Sequence, residues 1–508
     1  MCKLFYYGNC DPETEDEEYC IFHRPDKNEE EAEEFWRKFF DRFKHDEEEI
    51  EIKGEKIRRF IFNEDLDCSG YVFPTFPGAE TDVSARPFYY SIFKGKAYFS
   101  GATFSEADFS SAKFEGEAIF NITTFSKADF SGATFSKAEF VRTTFSEAYF
   151  SWATFSKANF SRAKFEGEAD FTRTTFSEAN FLEAKFEEEV SFNGTIFSEA
   201  YFSGATFSKA DFSDAKFKKS VIFSDARFHD FTNFSRAEFP TLEDADLLPY
   251  ASFRGAYFEH PERVVFDGIE GKAKISFINA DISRVVFRNC SFDFLYDEYL
   301  LKNREELEKE LKDLRQSIIH IGGISDWLIL ETLSRELEGM LADLTLDNVL
   351  SVIRMLRENF DYYMKYEESG RLFVKEMDLK RAHMLKGGAK RGIFYRISRC
   401  VEWFAYSLYR TIGLYGESIA RPIFWAIVTI LLFGILRYLS SHPLSNGVHL
   451  SSLMSPSLMR GIQESLEAFM QLRWDGSFLT LVERIVSALN LGILYISLHR
   501  KLERRIRH

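Results

Sequence analysis

Phenylalanine recurs at every fifth residue through the middle of the chain, and that period dictates the fold. From Phe99 the rings fall at 104, 109 and 114, run from 120 to 165 in strict fives, and continue at 171 to 186, 192 to 217, 223 and 228. A one-residue insertion resets the phase four times without ending the pattern. Five residues advance an α-helix by about 500°, which would spread the rings around its whole surface. In a straight strand an odd step sends alternate rings to opposite faces. Either arrangement leaves half of the rings in water, whereas each ring buried contributes roughly 1.5–3 kcal/mol. The chain must therefore turn once per five residues.

The usual unit reads Ala-x-Phe-Ser-x, as in Ser126 to Phe135, with Thr or Val sometimes in place of Ala. If each unit is a short extended side followed by a corner, Ala and Phe two residues apart point inward, and the polar residues between and after them face solvent. Stacked coils would then share backbone hydrogen bonds. These residues resemble the pentapeptide-repeat family, and the resemblance implies a right-handed quadrilateral β-helix with four units per coil. The fold class expected is mainly β: this solenoid, then an α-helical region and two transmembrane helices. The strict repeats (97–240) span about 140 residues, or roughly seven coils and roughly 34 Å at about 4.8 Å per layer. Phe253, Phe258, Phe266, Phe277, Ile282, Phe287 and Phe292 read as a degenerate continuation, and Phe62, Phe73, Phe88 and Phe93 as irregular first coils. Together they set the solenoid at 60–294, with helical material over its ends.

Residues 26–59 read as an acidic helical linker, and 295–421 as a helical cytoplasmic connector broken at Gly322-Gly323. Within the connector, Leu300, Leu307, Leu311, Leu314 and Ile318 follow a heptad-like spacing that suits either packing on the solenoid or a dimerising coiled coil.

Residues 422–508 carry the membrane signal. Pro422 to Leu439 is apolar apart from Arg437, expected to snorkel, and is just long enough to span a bilayer core. A second stretch, Phe478 to Leu498, contains Glu483 and Arg484 near one end. Basic residues flank the outer sides of both, from Lys390 to Arg421 and from Arg500 to Arg507, which sets both termini in the cytoplasm. The expected location is the cell membrane, multi-pass, with the lipid bilayer as one partner. The N-terminus shows no basic region, apolar stretch and small-residue cleavage site in series, so no secretory signal is expected. Between the spans, Leu458, Ile462, Leu466 and Phe469 keep helical spacing. Helix, short re-entrant helix, helix is the layout of a two-transmembrane potassium-channel pore, and Tyr366 to Arg381, then Gly413 to Ser418 and the first span, resemble the region that joins pentapeptide repeats to such a pore-like module in prokaryotic proteins. The resemblance covers about residues 355–508 and implies a homo-oligomer through the membrane helices. Met470 to Ser477, however, offers no Thr-Val-Gly-Tyr-Gly-type filter. A filter-less anchor, a conducting channel and two interfacial helices stay open.

In segment 1–25, Cys2, Cys10, Cys20 and His23 form C-x7-C-x9-C-x2-H, four ligand types suited to tetrahedral zinc. The Tyr19 to His23 ending resembles small knuckles of three cysteines and one histidine that precede repeat regions. Structural Zn2+ and reduced, unliganded thiols are the two readings. Cys68, Cys290 and Cys400 lie in or beside apolar stretches and read as packing residues.

No phosphate-binding loop, nucleophile elbow or His-Glu-x-x-His is present, so no catalytic residue and no enzyme activity are expected. A net charge of −16 argues against nucleic acid as a partner. The leading reading is a membrane-anchored scaffold or sensor that presents the β-helix to a protein partner. Soluble members of the resembled family that mimic DNA and bind gyrase supply another reading. Residues 100–239, however, hold 21 acidic against 15 basic side chains, a poor imitation of a duplex. An ion-channel-like transport protein is the third.

Overall fold

The computed structural model describes residues 1–52, 54–77, 86–241, 247, 250–269, 271–292, 294–318, 324–385, 393–441, 456–472 and 476–506. The chain divides into two compact units, Met1–Met355 and Leu356–His508. The first is built on a β-solenoid of about nine turns over residues 92–288.

Inside the solenoid the phenylalanines form four columns. In one, Phe99, Phe120, Phe140, Phe160 and Phe181 stack with centroids 4.7–4.9 Å apart and planes within 6° of parallel. The others pass through Phe104, Phe109 and Phe114. The spacing equals the rise between hydrogen-bonded strands, so rings and ladder share one repeat. Across the axis the contact turns edge to face, as for Phe120 and Phe130 at 5.5 Å and 76°, the geometry that aligns ring edges with ring faces. The early rings belong to the same columns: Phe62 stacks on Phe93, Phe73 on Phe104 and Phe88 on Phe109.

A coil of four plain units holds 20 residues, as in the register Thr124–Thr144–Lys164, and an inserted residue makes 21, as from Lys164 to Lys185. Where the insertion carries Gly116, a Cβ would stand 2.1 Å from the carbonyl oxygen of Gly95 in the coil below, so only glycine fits. Thr in place of the inward Ala has a specific partner. The buried hydroxyls of Thr123, Thr143, Thr174 and Thr195 donate to the carbonyls of Phe99, Phe120, Phe150 and Phe171 at 2.5–2.7 Å, which avoids the penalty of a buried unpaired hydroxyl.

Helices close both ends of the stack. Helix α1 (Glu29–Arg42) begins with a capping box between Asn28 and Glu31 and turns Phe35, Trp36 and Phe39 onto Phe73, Phe88 and Phe62. The helical linker expected over 26–59 stops there. His45–Ile52 (β1) pairs antiparallel with Glu55–Phe62 (β2) and continues the sheet into the first coil. In β2 the burial of Ile57, Phe60 and Phe62 outweighs helix propensity, and Glu49 and Lys56 meet across the hairpin at 2.6 Å.

At the other end, α2 (Tyr296–Lys302) buries Tyr296 and Leu300. Its Asp297 is fully covered, and the carboxylate accepts the N–H of Phe277 at 3.3 Å. Then follow α3 (Arg304–Ile318), α4 (Ile324–Asp343) and α5 (Leu346–Tyr362). The Gly322-Gly323 break lies outside the described residues. Leu307 and Leu311 of the heptad-like run are buried inside the chain, where α3 packs on α4. A charged seam fastens α4 to the solenoid: Arg254 reaches Glu336 at 3.2 Å and Asp343 at 3.1 Å, and Ser252 donates to Glu336 at 2.6 Å.

The second unit holds α6 (Tyr366–His383), α7 (Ile393–Gly413), α8 (Ala420–Ser441), α9 (Pro456–Phe469) and α10 (Phe478–Ile506). Helix α8 and residues Phe478–Glu503 of α10 are long and apolar enough to cross a membrane. Arg437 does not snorkel. It is buried against Glu483, 2.8 Å away, and also donates to Thr480 at 2.9 Å. Ser465 of α9 donates to the other oxygen of Glu483. Helix α9 nests on α8 at a glycine pair, where a Cβ on Gly461 would lie 2.8 Å from the carbonyl oxygen of Gly434.

Candidate metal centre

Cys2, Cys10, Cys20 and His23 converge although their sequence spacing is irregular. The four ligand atoms lie within 4.8 Å of one another. Measured from Nδ1 of His23, the Sγ atoms of Cys20, Cys2 and Cys10 stand at 3.0, 3.5 and 3.7 Å. For a tetrahedral zinc with Zn–S of about 2.3 Å and Zn–N of about 2.0–2.1 Å, the edge between a sulfur and a nitrogen is about 3.5 Å. The three sulfur–nitrogen distances bracket that edge, so the donor set fits one tetrahedral metal ion.

Local structure explains the convergence. The Cys20 carbonyl accepts the N–H groups of His23 and Arg24, both at 3.0 Å, so a tight turn brings the x2 pair onto one side. Cys2 is laid alongside by two backbone bonds, Cys2 N to Glu15 O at 2.6 Å and Lys3 N to Glu18 O at 2.9 Å. Asp11 accepts from Thr14 at 2.7 Å and pairs with the buried Lys38 of α1 at 2.8 Å, which holds the Cys10 strand in place. Asp11, Thr14 and Lys38 escape a reading aimed at ligand types; their only sequence signal is the Asp-x-x-Thr turn.

Burial shapes the chemistry of the cluster. It holds the His23 imidazole down at about 4, so the ring is neutral and has a lone pair to give. It pushes the Cys10 thiol up to about 12 and raises Cys20 as well. Burial also presses upward on Cys2, but hydrogen bonds from the N–H groups of Cys20 and Leu4 and from the Cys10 and Cys20 side chains together leave that thiol lowered. With four protein ligands the arrangement leaves no open position, which fits a structural ion rather than a catalytic one.

The knuckle is part of the end cap. Phe22 stacks on Tyr71 at 4.6 Å, the Phe22 carbonyl accepts from Val72 N at 2.8 Å, and Asn9 donates to Ser69 O at 2.9 Å. Tyr7 lies over Gly70 so closely that a Cβ there would stand 2.3 Å from its ring. Of the other cysteines, Cys68 is buried and Cys290 half-buried. Cys400 is exposed on α7 and is not the packing residue expected from its apolar neighbours.

Along the solenoid, outward side chains pair from coil to coil: Arg162 with Glu183 at 2.7 Å, Arg236 with Asp214 at 2.6 Å and Lys157 with Glu178 at 3.7 Å. Family models for pentapeptide repeats match residues 88–134, 171–216 and 192–238, and a second such model matches 123–162. Pentapeptide repeats build this solenoid. Over 243 residues the chain is 24% identical to the uncharacterized Methanocaldococcus jannaschii protein MJ1147, a similarity covering 46% of each chain. The chain thus spans about half the length of that relative. Among solved structures it is similar to HetL, a pentapeptide repeat protein involved in heterocyst differentiation regulation from a Nostoc cyanobacterium. That likeness has 13% identity, 46% coverage of this chain and 84% of HetL, and a TM-score of 0.18. The solenoid described above rests on its ladder and ring columns, independently of that likeness. Pentapeptide-repeat proteins are generally structural or binding proteins rather than enzymes.

Proposed function

We propose that this chain is a non-catalytic, membrane-anchored scaffold or sensor. In this reading α8 and α10 hold it in the cell membrane with both termini in the cytoplasm, and the pentapeptide-repeat solenoid offers its outer faces to a protein partner. The pairing of the two buried charges, Arg437 and Glu483, across the apolar helices carries the anchor reading. Ionisable side chains in a bilayer are tolerated when they face helix neighbours and neutralise one another. The scaffold reading rests on the solenoid faces, where a stacked interior fixes rows of polar side chains at a constant repeat. Conduction lacks support, because no filter sequence occurs between Met470 and Ser477, a stretch of which residues 473–475 lie outside the described residues.

DNA mimicry fits poorly. A duplex presents a charge every ~1.7 Å, whereas Arg162 and Arg236 cancel Glu183 and Asp214 in neighbouring coils. The cluster of Cys2, Cys10, Cys20 and His23 is assigned to a structural zinc that closes the N-terminal end of the solenoid. Alkaline-carbonate extraction tests the anchor: the full chain stays in the membrane pellet, and a truncation ending at Ser418 is released. Release of both would overturn it.

A further inference from the structure

Helix α7 has an apolar stripe that the second unit leaves uncovered. Ile397, Val401 and Phe404, spaced i, i+4 and i+7, are 54%, 63% and 63% exposed. That spacing places them on one face of the helix, with Leu408 one turn further along. The rest of the helix is basic and aromatic, with Arg396, Trp403 and Tyr409 beside the stripe and Tyr406, Arg399 and Arg410 opposite it, Arg399 paired with Glu402 at 3.0 Å. The C-terminal end of the helix is fixed. Arg410 binds Asp378 at 2.6 Å, Trp425 of α8 donates to the Thr411 carbonyl at 3.1 Å, and Gly413 abuts α10 so closely that a Cβ would stand 2.3 Å from Ile493.

We infer that α7 lies on the cytoplasmic membrane surface with Ile397, Val401 and Phe404 among the lipid chains and Arg396 among anionic headgroups. The inference rests on the reading of α8 as a membrane span, and the argument for lipid over another protein surface is one of position. Only residues 414–419 separate α7 from α8, which starts with exposed Arg421 and then exposes Ile423, Phe424 and Ile427. A helix pinned to both apolar helices at the basic end of the first span sits at headgroup level. An apolar stripe flanked by Arg, Trp and Tyr is the side-chain set that inserts there, with its apolar face about 5–10 Å below the surface. Exposed Arg396 adds a positive charge beside the stripe, the sign an anionic leaflet attracts.

The test uses the full chain carrying Val401→Cys in a Cys290→Ser, Cys400→Ser background. It is labelled with a nitrobenzoxadiazole probe and reconstituted into phosphatidylcholine vesicles with or without phosphatidylglycerol; the same chain without Val401→Cys gives the background. With phosphatidylglycerol present, a nitroxide high on the lipid chain should quench the probe about fivefold more strongly than aqueous iodide. Arg396→Glu should lower that lipid quenching about twofold. Quenching by iodide alone, or by neither agent, in a chain that still resists carbonate would overturn the surface helix and leave the anchor standing. Equal lipid quenching in pure phosphatidylcholine would overturn the anionic preference. Release of the unmodified chain by carbonate would remove the anchor, and this inference with it.

Discussion

Arg437 of α8 and Glu483 of α10 bring their charges to 2.8 Å inside the helical unit, and neither is open to solvent. Each would be a defect in an apolar helix taken alone; together with Thr480 and Ser465 they form a seam that registers α8, α9 and α10. Removing one partner strands the other. Glu483→Leu should therefore destabilise the unit by about 3–5 kcal/mol, and Arg437→Met with Glu483→Leu should recover most of that loss. The check is the thermal midpoint of the detergent-solubilised chain. Equal midpoints for wild type and Glu483→Leu would show that the pair does not hold the helices.

The buried threonines predict a contrast between two small substitutions. Thr143 donates to the Phe120 carbonyl at 2.5 Å, and that oxygen also accepts the N–H of Thr123 at 3.2 Å. Thr143→Ala restores the commoner inward residue and leaves the carbonyl bonded, so it should cost under about 1 kcal/mol. Thr143→Val sets a methyl group against the same oxygen and should cost about 1–3 kcal/mol. Urea unfolding followed by far-ultraviolet circular dichroism separates the two.

Metal content tests the knuckle. The purified chain should carry one zinc per molecule by elemental analysis, and Cys20→Ser should lose it. Loss of the ion should also speed amide exchange at Val72, whose N–H donates to the Phe22 carbonyl of the knuckle. A chain free of zinc, with unchanged exchange after chelation, would leave reduced thiols as the correct description.

Asp297 gives the C-terminal cap a pH dependence of unusual sign. Burial raises its carboxyl from 3.8 to about 6, while Ser276 and the Phe277 N–H pull it down. The folded cap therefore holds the proton more tightly than the unfolded chain. Its contribution is complete below about pH 4 and fades as pH rises through about 6, by roughly 3 kcal/mol at most. Exchange protection at Phe277 should fall across that interval in the wild type and stay flat in Asp297→Asn. An identical slope in both would reassign the effect to other groups.

The sequence discloses the solenoid because burial and period are the same statement there: one large ring every five residues allows only a chain that turns every five residues. Helix α1 and the hairpin after it are less legible. Glu47 to Glu49 read as solvated helix until their strand finds Lys56, Arg58 and Arg59 opposite. Long-range pairs escape altogether. Nothing local to Arg254 announces Glu336, and nothing near Arg437 announces Glu483, since each pair depends on two elements meeting in space. The metal cluster lies between these cases, with ligand types visible in sequence and support from Asp11 and Lys38 visible only in the fold.

The ring columns also make the length of this solenoid a quantised property. Removing a full coil, residues 121–140 for instance, leaves Phe145 to settle on Phe104 and every later ring in its own column. Removing a single five-residue unit turns everything downstream by a quarter revolution. The Ser252 and Arg254 site for α4 would then point from a different wall of the solenoid. Growth or loss by whole coils conserves that bearing, so the repeat number works as a ruler and its remainder modulo four as a compass.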